Sequence, residues 1–248
     1  MNALKLIRAV PDILLPRTCT VCQRRLYLCE NHICLECRAD MPLTYFWMSR
    51  HNLMADRFNA LLQEKSDGVV YTPYIRAAAL FFYKEDGKYR HIPQQLKYKG
   101  NIAIGKHFGK ILGSRLKESA EFSDADIIVP VPLHWSRKWK RGYNQAEVLA
   151  RAIAEELGAS VRTDLLKRTR RTATQTRLDI EAKATNVEGA FQACIKKPGT
   201  LNGIRHIILI DDVFTTGSTV RACYWALRSV FPPSVRISVA TLAFVGGA

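Results

Sequence analysis

Two neighbouring carboxylates, Asp211 and Asp212, follow the aliphatic run 207–210 and precede a loop of small residues: Thr215, Thr216, Gly217, Ser218 and Thr219. An acid pair at the end of a buried strand loses hydration and repels itself. It stays ionised only against hydroxyl donors or a cation. Carboxylate oxygens suit the vicinal hydroxyls of a ribose. Backbone amides at a hydroxyl-rich loop and helix start face an anion, and the helix dipole adds favourable potential. Strand, acid pair, loop and helix together form a grip for a sugar phosphate. The plainer alternative is an ordinary connection with two solvated acids at its mouth.

A second chemistry belongs to the cysteines. Cys19 and Cys22, then Cys34 and Cys37, form two C-x-x-C knuckles separated by eleven residues. Four thiolates so spaced close a tetrahedral zinc site, which is structural because no position remains for a reacting water. A module with so little core depends on its metal to fold. Cys29 and His32 lie between the knuckles and leave the ligand choice slightly open; Cys29 reads as a bystander. The competing reading is a redox or disulfide pair. Cys194 and Cys223 read as small core residues.

A third feature is the segment LHWSRKWKRGYNQ, where Arg137, Lys138, Lys140 and Arg141 alternate with Trp135, Trp139 and Tyr143. Read as a loop at the acids' sheet edge, it has two uses. Its cations, with Arg137 and Arg141 foremost, suit a pyrophosphate. Cations between exposed aromatics also suit single-stranded nucleic acid, whose phosphates are screened while its bases stack. The plain reading is a solvated basic turn with its tryptophans packed inward. His134 is the histidine placed nearest a ligand. Further on, Arg168, Arg170 and Arg171 lie in a hydroxyl-rich, aliphatic-poor stretch, expected to be ordered by an anion.

The elements that must position these groups follow from apolar patterning. Strands are expected over 77–83, over 127–132 (where Pro130 and Pro132 limit pairing) and over 207–210. Helices are expected over 54–62 and 220–230, and from an Asn144 cap, closed reciprocally by Glu147, to Gly158. A turn is expected at 66–68. Gly105–Lys110 resembles a Walker loop only superficially, because the glycine spacing is wrong and the Ser/Thr is missing. No Ser/His/Asp nucleophile is signalled.

With 248 residues and 48% hydrophobic content, the chain suffices for a full α/β core with a small appendage. The parts expected are a helix and four-cysteine zinc ribbon over 1–46, a connecting segment over 47–74 and an α/β domain over 75–248. A formal charge of +15 favours anionic partners: nucleic acid, phosphorylated metabolites or an acidic membrane face. No apolar run approaches a membrane span. The first sixteen residues imitate a signal peptide, but Arg8, Pro11 and Asp12 interrupt them and a short amphipathic helix is expected instead. Clustered cysteines point to a reducing compartment, hence the cytoplasm.

The passage IILIDDVFTTGST (207–219) resembles the 5-phosphoribosyl-1-pyrophosphate (PRPP) motif of type I phosphoribosyltransferases. That resemblance implies Asp211 and Asp212 on the ribose hydroxyls and Thr215 to Thr219 around the 5-phosphate. With the knuckles, LKYKG (96–100), VPVPLHWSRKWKRGYNQAEVLA and LLKRTRRTATQTRLDIEAKATNVEGAF, nearly the whole chain resembles the ComF family of competence-associated proteins. The resemblance implies a parallel phosphoribosyltransferase-like sheet flanked by helices, a zinc ribbon, Mg²⁺ accompanying PRPP, and a part in DNA uptake during natural transformation. Cys29 and the long stretch after the knuckles depart from the family pattern.

Two functions follow. One is a DNA-handling protein with a PRPP pocket, its nucleic-acid surface comprising Trp135, Lys138, Trp139, Lys140, Arg168, Arg170 and Arg171. Single-stranded DNA and competence or recombination proteins would be its partners. The other is a metabolic phosphoribosyltransferase serving a nitrogenous base or amine, with Asp211 and Asp212 catalytic and Lys97, Arg137 or Arg141 on the leaving pyrophosphate. No residue names the acceptor.

Overall fold

The run Ile207–Ile210 is buried without exception because its strand lies inside a sheet covered on both faces. The computed structural model describes residues 16–64, 73–98, 100–169, 189–194 and 203–246. The expected N-terminal helix, the turn at 66–68, and Arg170 and Arg171 lie outside the described residues.

In chain order the elements are α1 (Leu35–Ala39), α2 (Leu53–Gln63), β1 (Ala77–Tyr83), α3 (His91–Tyr98), α4 (Ile102–Lys117), β2 (Ile127–Pro130) and α5 (Trp135–Arg141). There follow α6 (Gln145–Leu157), β3 (Ser160–Val161), β4 (Leu166–Arg168), β5 (Phe191–Ala193), β6 (His206–Phe214), α7 (Ser218–Arg228) and β7 (Arg236–Val245). Five strands form one sheet in the order β1-β7-β6-β2-β3. Every pairing in it is parallel. The fold is therefore α/β, as the apolar runs predict.

Helix α4 meets α6 closely because Gly105, Gly109 and Gly113 line its contact face. A Cβ at these positions would come within 2.7 Å of Leu96, 2.8 Å of Ala152 and 2.9 Å of Glu156 respectively. The glycines of the false Walker match thus serve helix packing. Helix α6 starts at Asn144, whose Oδ1 accepts from Ala146 N at 3.1 Å, and ends at Gly158 with φ 71°. Glu147, expected to close the cap reciprocally, instead pairs with Arg151 at 2.7 Å, one turn along the exposed face.

The cysteine-bearing segment docks on the edge strand. Phe82 N donates to Pro42 O at 2.8 Å and Thr44 N donates to Leu80 O at 3.1 Å, which covers the free edge of β1. Tyr89 Oη donates to Cys37 O at 2.9 Å. Asn59 on α2 clamps the entry to β1, donating to Ile75 O and accepting from Ile75 N, both at 2.8 Å. Among the described residues, no helix is long and apolar enough to cross a membrane.

Candidate functional site

Strand β6 runs further than its apolar core predicts. It continues through both acids to Phe214, with Asp211 opposite Thr241 and Val213 opposite Ala243 of β7. On its other side, β2 stops at Pro130 opposite Ile210, and Val131 N donates the last bond to Ile210 O at 2.8 Å. The proline pair ends β2 as expected. The acids therefore project past β2 while β7 still holds their backbone.

Successive strand residues alternate in direction, so the two acids leave the backbone on opposite sides. Asp212 is buried and meets Lys97 at the end of α3, Nζ to Oδ2 2.9 Å. Burial alone would lower the Lys97 ammonium pKa; the Asp212 charge outweighs it and raises the value. Asp211 is half-buried. Desolvation, and then the Asp212 charge, push its carboxyl up to about 7. Lys97 and Arg168 oppose that shift. Lys97, expected on a pyrophosphate, thus sits on an acid. Arg168, expected at a nucleic-acid surface, stands electrostatically beside Asp211, with its guanidinium 5.1 Å from the Phe191 ring centroid.

The loop after β6 is a tight turn of small residues. Gly217 takes φ 80°, and a Cβ there would lie 2.6 Å from Phe214 Cζ and 2.8 Å from Leu61 Cδ1. Glycine is required by conformation and by space alike. Thr216 Oγ1 and Ser218 Oγ are 3.0 Å apart, which keeps the hydroxyls together. Helix α7 follows with no acid in its first turn; its N-cap, Gly217, has no side chain to offer, and Ser218 N donates to Thr216 Oγ1 at 3.4 Å, so the positive end of the helix dipole lies at the loop.

The basic segment beside β2 is a helix, α5, where a loop was expected. His134 caps it, accepting from Ser136 N at 3.3 Å, and Gly142 with φ 79° ends it. No α5 residue is buried. Trp135 and Trp139, one turn apart, share a face and are 73% and 89% exposed. The reading in which both tryptophans pack inward is overturned. Lys138 and Lys140 are exposed, and Arg141 lies 5.4 Å from the ring centroid of Tyr98. The short β4–β5 ribbon that carries Arg168 is antiparallel.

The four thiolates Cys19, Cys22, Cys34 and Cys37 converge within 4.8 Å of one another. A zinc tetrahedron with bonds of about 2.3 Å has sulfur–sulfur edges of about 3.8 Å. Cys22 Sγ and Cys34 Sγ are 3.7 Å apart. Val21 N and Cys34 N both donate to Cys19 Sγ at 3.4 Å, and Cys37 N donates to Cys34 Sγ at 3.4 Å. Burial pushes the Cys19 thiol up, but backbone donors outweigh it and bring the value to about 7. The donor set fits a structural zinc.

One arrangement carried no signal in the sequence. Ser238 Oγ lies 2.8 Å from His206 Nε2, whose Nδ1 lies 2.9 Å from Asp124 Oδ1. The order is that of a nucleophile triad, but Ser238 is 0% and His206 1% exposed, so no substrate reaches them. They knit the amino ends of β6 and β7. A cavity of about 520 Å³ lined by Trp47, Met48, Arg115 and Glu121 contains none of the acid, loop or α5 residues.

Competence protein F of Haemophilus influenzae is 25% identical over 228 residues, covering 88% of this chain and 94% of that protein. Over most of its length the chain is similar to competence protein F. The DNA utilization protein YhgH of Escherichia coli strain K12 is 39% identical over 129 residues. That match covers 51% of this chain and 55% of YhgH, so the chain spans about half of that relative. Among solved structures, the glutamine PRPP amidotransferase of B. subtilis gives a TM-score of 0.36 at 20% identity, over 56% of this chain and 26% of that one. No protein-family model matches this chain.

Proposed function

We propose that this chain binds PRPP at the carboxyl edge of β6 and single-stranded DNA along α5, in competence-related handling of DNA in the cytoplasm. The carrying observation is placement. β6 delivers Asp211, Asp212 and the Gly217 loop to the same sheet edge at which β2 delivers α5 with Trp135 and Trp139 exposed. Under this reading the ribose hydroxyls donate to the acids and residues 215–219 enclose the 5-phosphate. Arg137, Arg141 and a released Lys97 face the pyrophosphate. Mg²⁺, arriving with PRPP, would neutralise its phosphates beside the acids. Residues 1–46 form the zinc-bearing unit, 47–74 connect, and 75–248 carry the ligand sites. The +15 charge supports a polyanionic partner.

The test is paired binding. PRPP with Mg²⁺ is titrated calorimetrically, and a short oligothymidylate by fluorescence anisotropy, against wild type and the D211N/D212N protein. The double variant is expected to lose PRPP and retain the oligonucleotide. Equal loss of both would mean one shared site and reject the two-site reading. Transfer of the phosphoribosyl group to a base or amine would instead establish a metabolic enzyme.

A further inference from the structure

Residues 96–98, at the end of α3, touch both proposed sites at once. Tyr143 Oη donates to Leu96 O. Lys97 Nζ lies 2.9 Å from Asp212 Oδ2. Tyr98, 74% exposed, stands under the guanidinium of Arg141, the last residue of α5. Three consecutive residues therefore tie the aromatic–cationic helix region to the acid pair. The link is independent of the sheet contact between β2 and β6.

We propose that the sugar-phosphate and DNA sites are positively coupled through Lys97, which is a counterion that DNA helps to release from Asp212. This rests on the function proposed above. In the state seen here the ammonium occupies an Asp212 oxygen that ribose hydroxyls or an accompanying cation would need. Ligand entry at Asp212 must then displace Lys97. An ammonium leaving a buried pair needs a new anion to offset its lost partner. A strand lying along α5 brings phosphates to the exposed Lys138 and Lys140 and so fixes the helix whose last residue, Arg141, stands over the ring of Tyr98, the residue after Lys97. The strand thereby stabilises the released state, which is also the state that the sugar ligand selects. Linkage is reciprocal, so PRPP must tighten DNA by the same factor that DNA tightens PRPP.

The experiment titrates wild type with PRPP and Mg²⁺, alone and saturated with oligothymidylate, and then repeats the oligonucleotide titration with and without PRPP. The expected result is a tightening of about fivefold or more in both directions. Lys97→Met is expected to bring the ratio to one, whatever its separate affinities. Tyr98→Ala, at an exposed side chain, is expected to reduce the ratio while leaving the melting temperature unchanged. A ratio of one or below in wild type, with each ligand binding alone, overturns the coupling. So does full coupling in Lys97→Met. If wild type gives no PRPP isotherm at all, the site assignment fails and the coupling falls with it, a result distinguishable from two independent sites.

Discussion

Lys97 Nζ stands 2.9 Å from Asp212 Oδ2, and Lys97 acts on Asp211 only at longer range. One ammonium directly pairs with one of two adjacent acids. The other carries the consequence: desolvation, then repulsion from Asp212, hold Asp211 near a pKa of about 7. Near neutral pH, protonated and ionised forms of Asp211 coexist.

A ligand that needs Asp211 as an acceptor must expel that proton. PRPP affinity should therefore weaken as pH falls below about 7, approaching tenfold per unit. Calorimetry at pH 6 in two buffers of different ionisation enthalpy should report close to one proton released per PRPP bound. Identical heats in the two buffers would reject the assignment of Asp211 to the site.

The acid pair and its loop were legible because their residue types leave little latitude. An aliphatic run marks the strand, and a glycine among hydroxyls marks the tight turn that Phe214 and Leu61 crowd. Helix α5 was not legible: it buries no residue, its one apolar pair at helical spacing, Trp135 and Trp139, is too short a pattern to mark a period, and its cap is a histidine. The Lys97–Asp212 pair was equally hidden, since only the packed sheet brings α3 to the end of β6. Glu147 carried a local capping signal that a closer partner, Arg151, overrode.

His206 makes the opposite contribution to pH stability from Asp211. Burial, with Arg236 adding to it, depresses His206 from 6.5 to about 4. The unfolded chain takes up this proton first, so the stability from His206 is complete above pH 6.5 and is lost as pH falls to about 4. Its full size is about 3 kcal/mol. Asp211, raised in the fold, loses stability as pH rises through the same window, so the raw profile mixes the two. The difference between wild type and His206→Gln in urea melts should isolate it. That difference should grow from pH 4 to 6.5 and level off above; a flat difference would exclude the neutral buried imidazole.

Zinc should do more than fold its own module. Cys37 O accepts from Tyr89, and residues 42–44 cover the edge of β1, so release of a metal bound by the four cysteines should loosen a strand of the main sheet. One zinc per chain should be released on thiolate titration. Chelation should then raise amide exchange first in residues 16–44 and next along β1. Exchange confined to the cysteine segment would show that the docking contacts do not transmit the loss.

The exposed tryptophans separate stacking from charge in DNA binding. Trp135→Ala and Trp139→Ala each remove a ring that the fold does not bury, so stability should change by less than about 0.5 kcal/mol. If bases stack on these rings, each substitution should weaken oligothymidylate binding by about 1–3 kcal/mol with the salt slope unchanged. Lys138 and Lys140 are exposed on the same helix and answer to a different law. Removing two phosphate contacts should flatten the slope of log affinity against log salt by about 1.4. Anisotropy titrations between low and physiological salt measure both quantities. Tryptophan variants that bind like wild type would move the strand off α5, and an unchanged slope in K138A/K140A would show that neither lysine meets a phosphate.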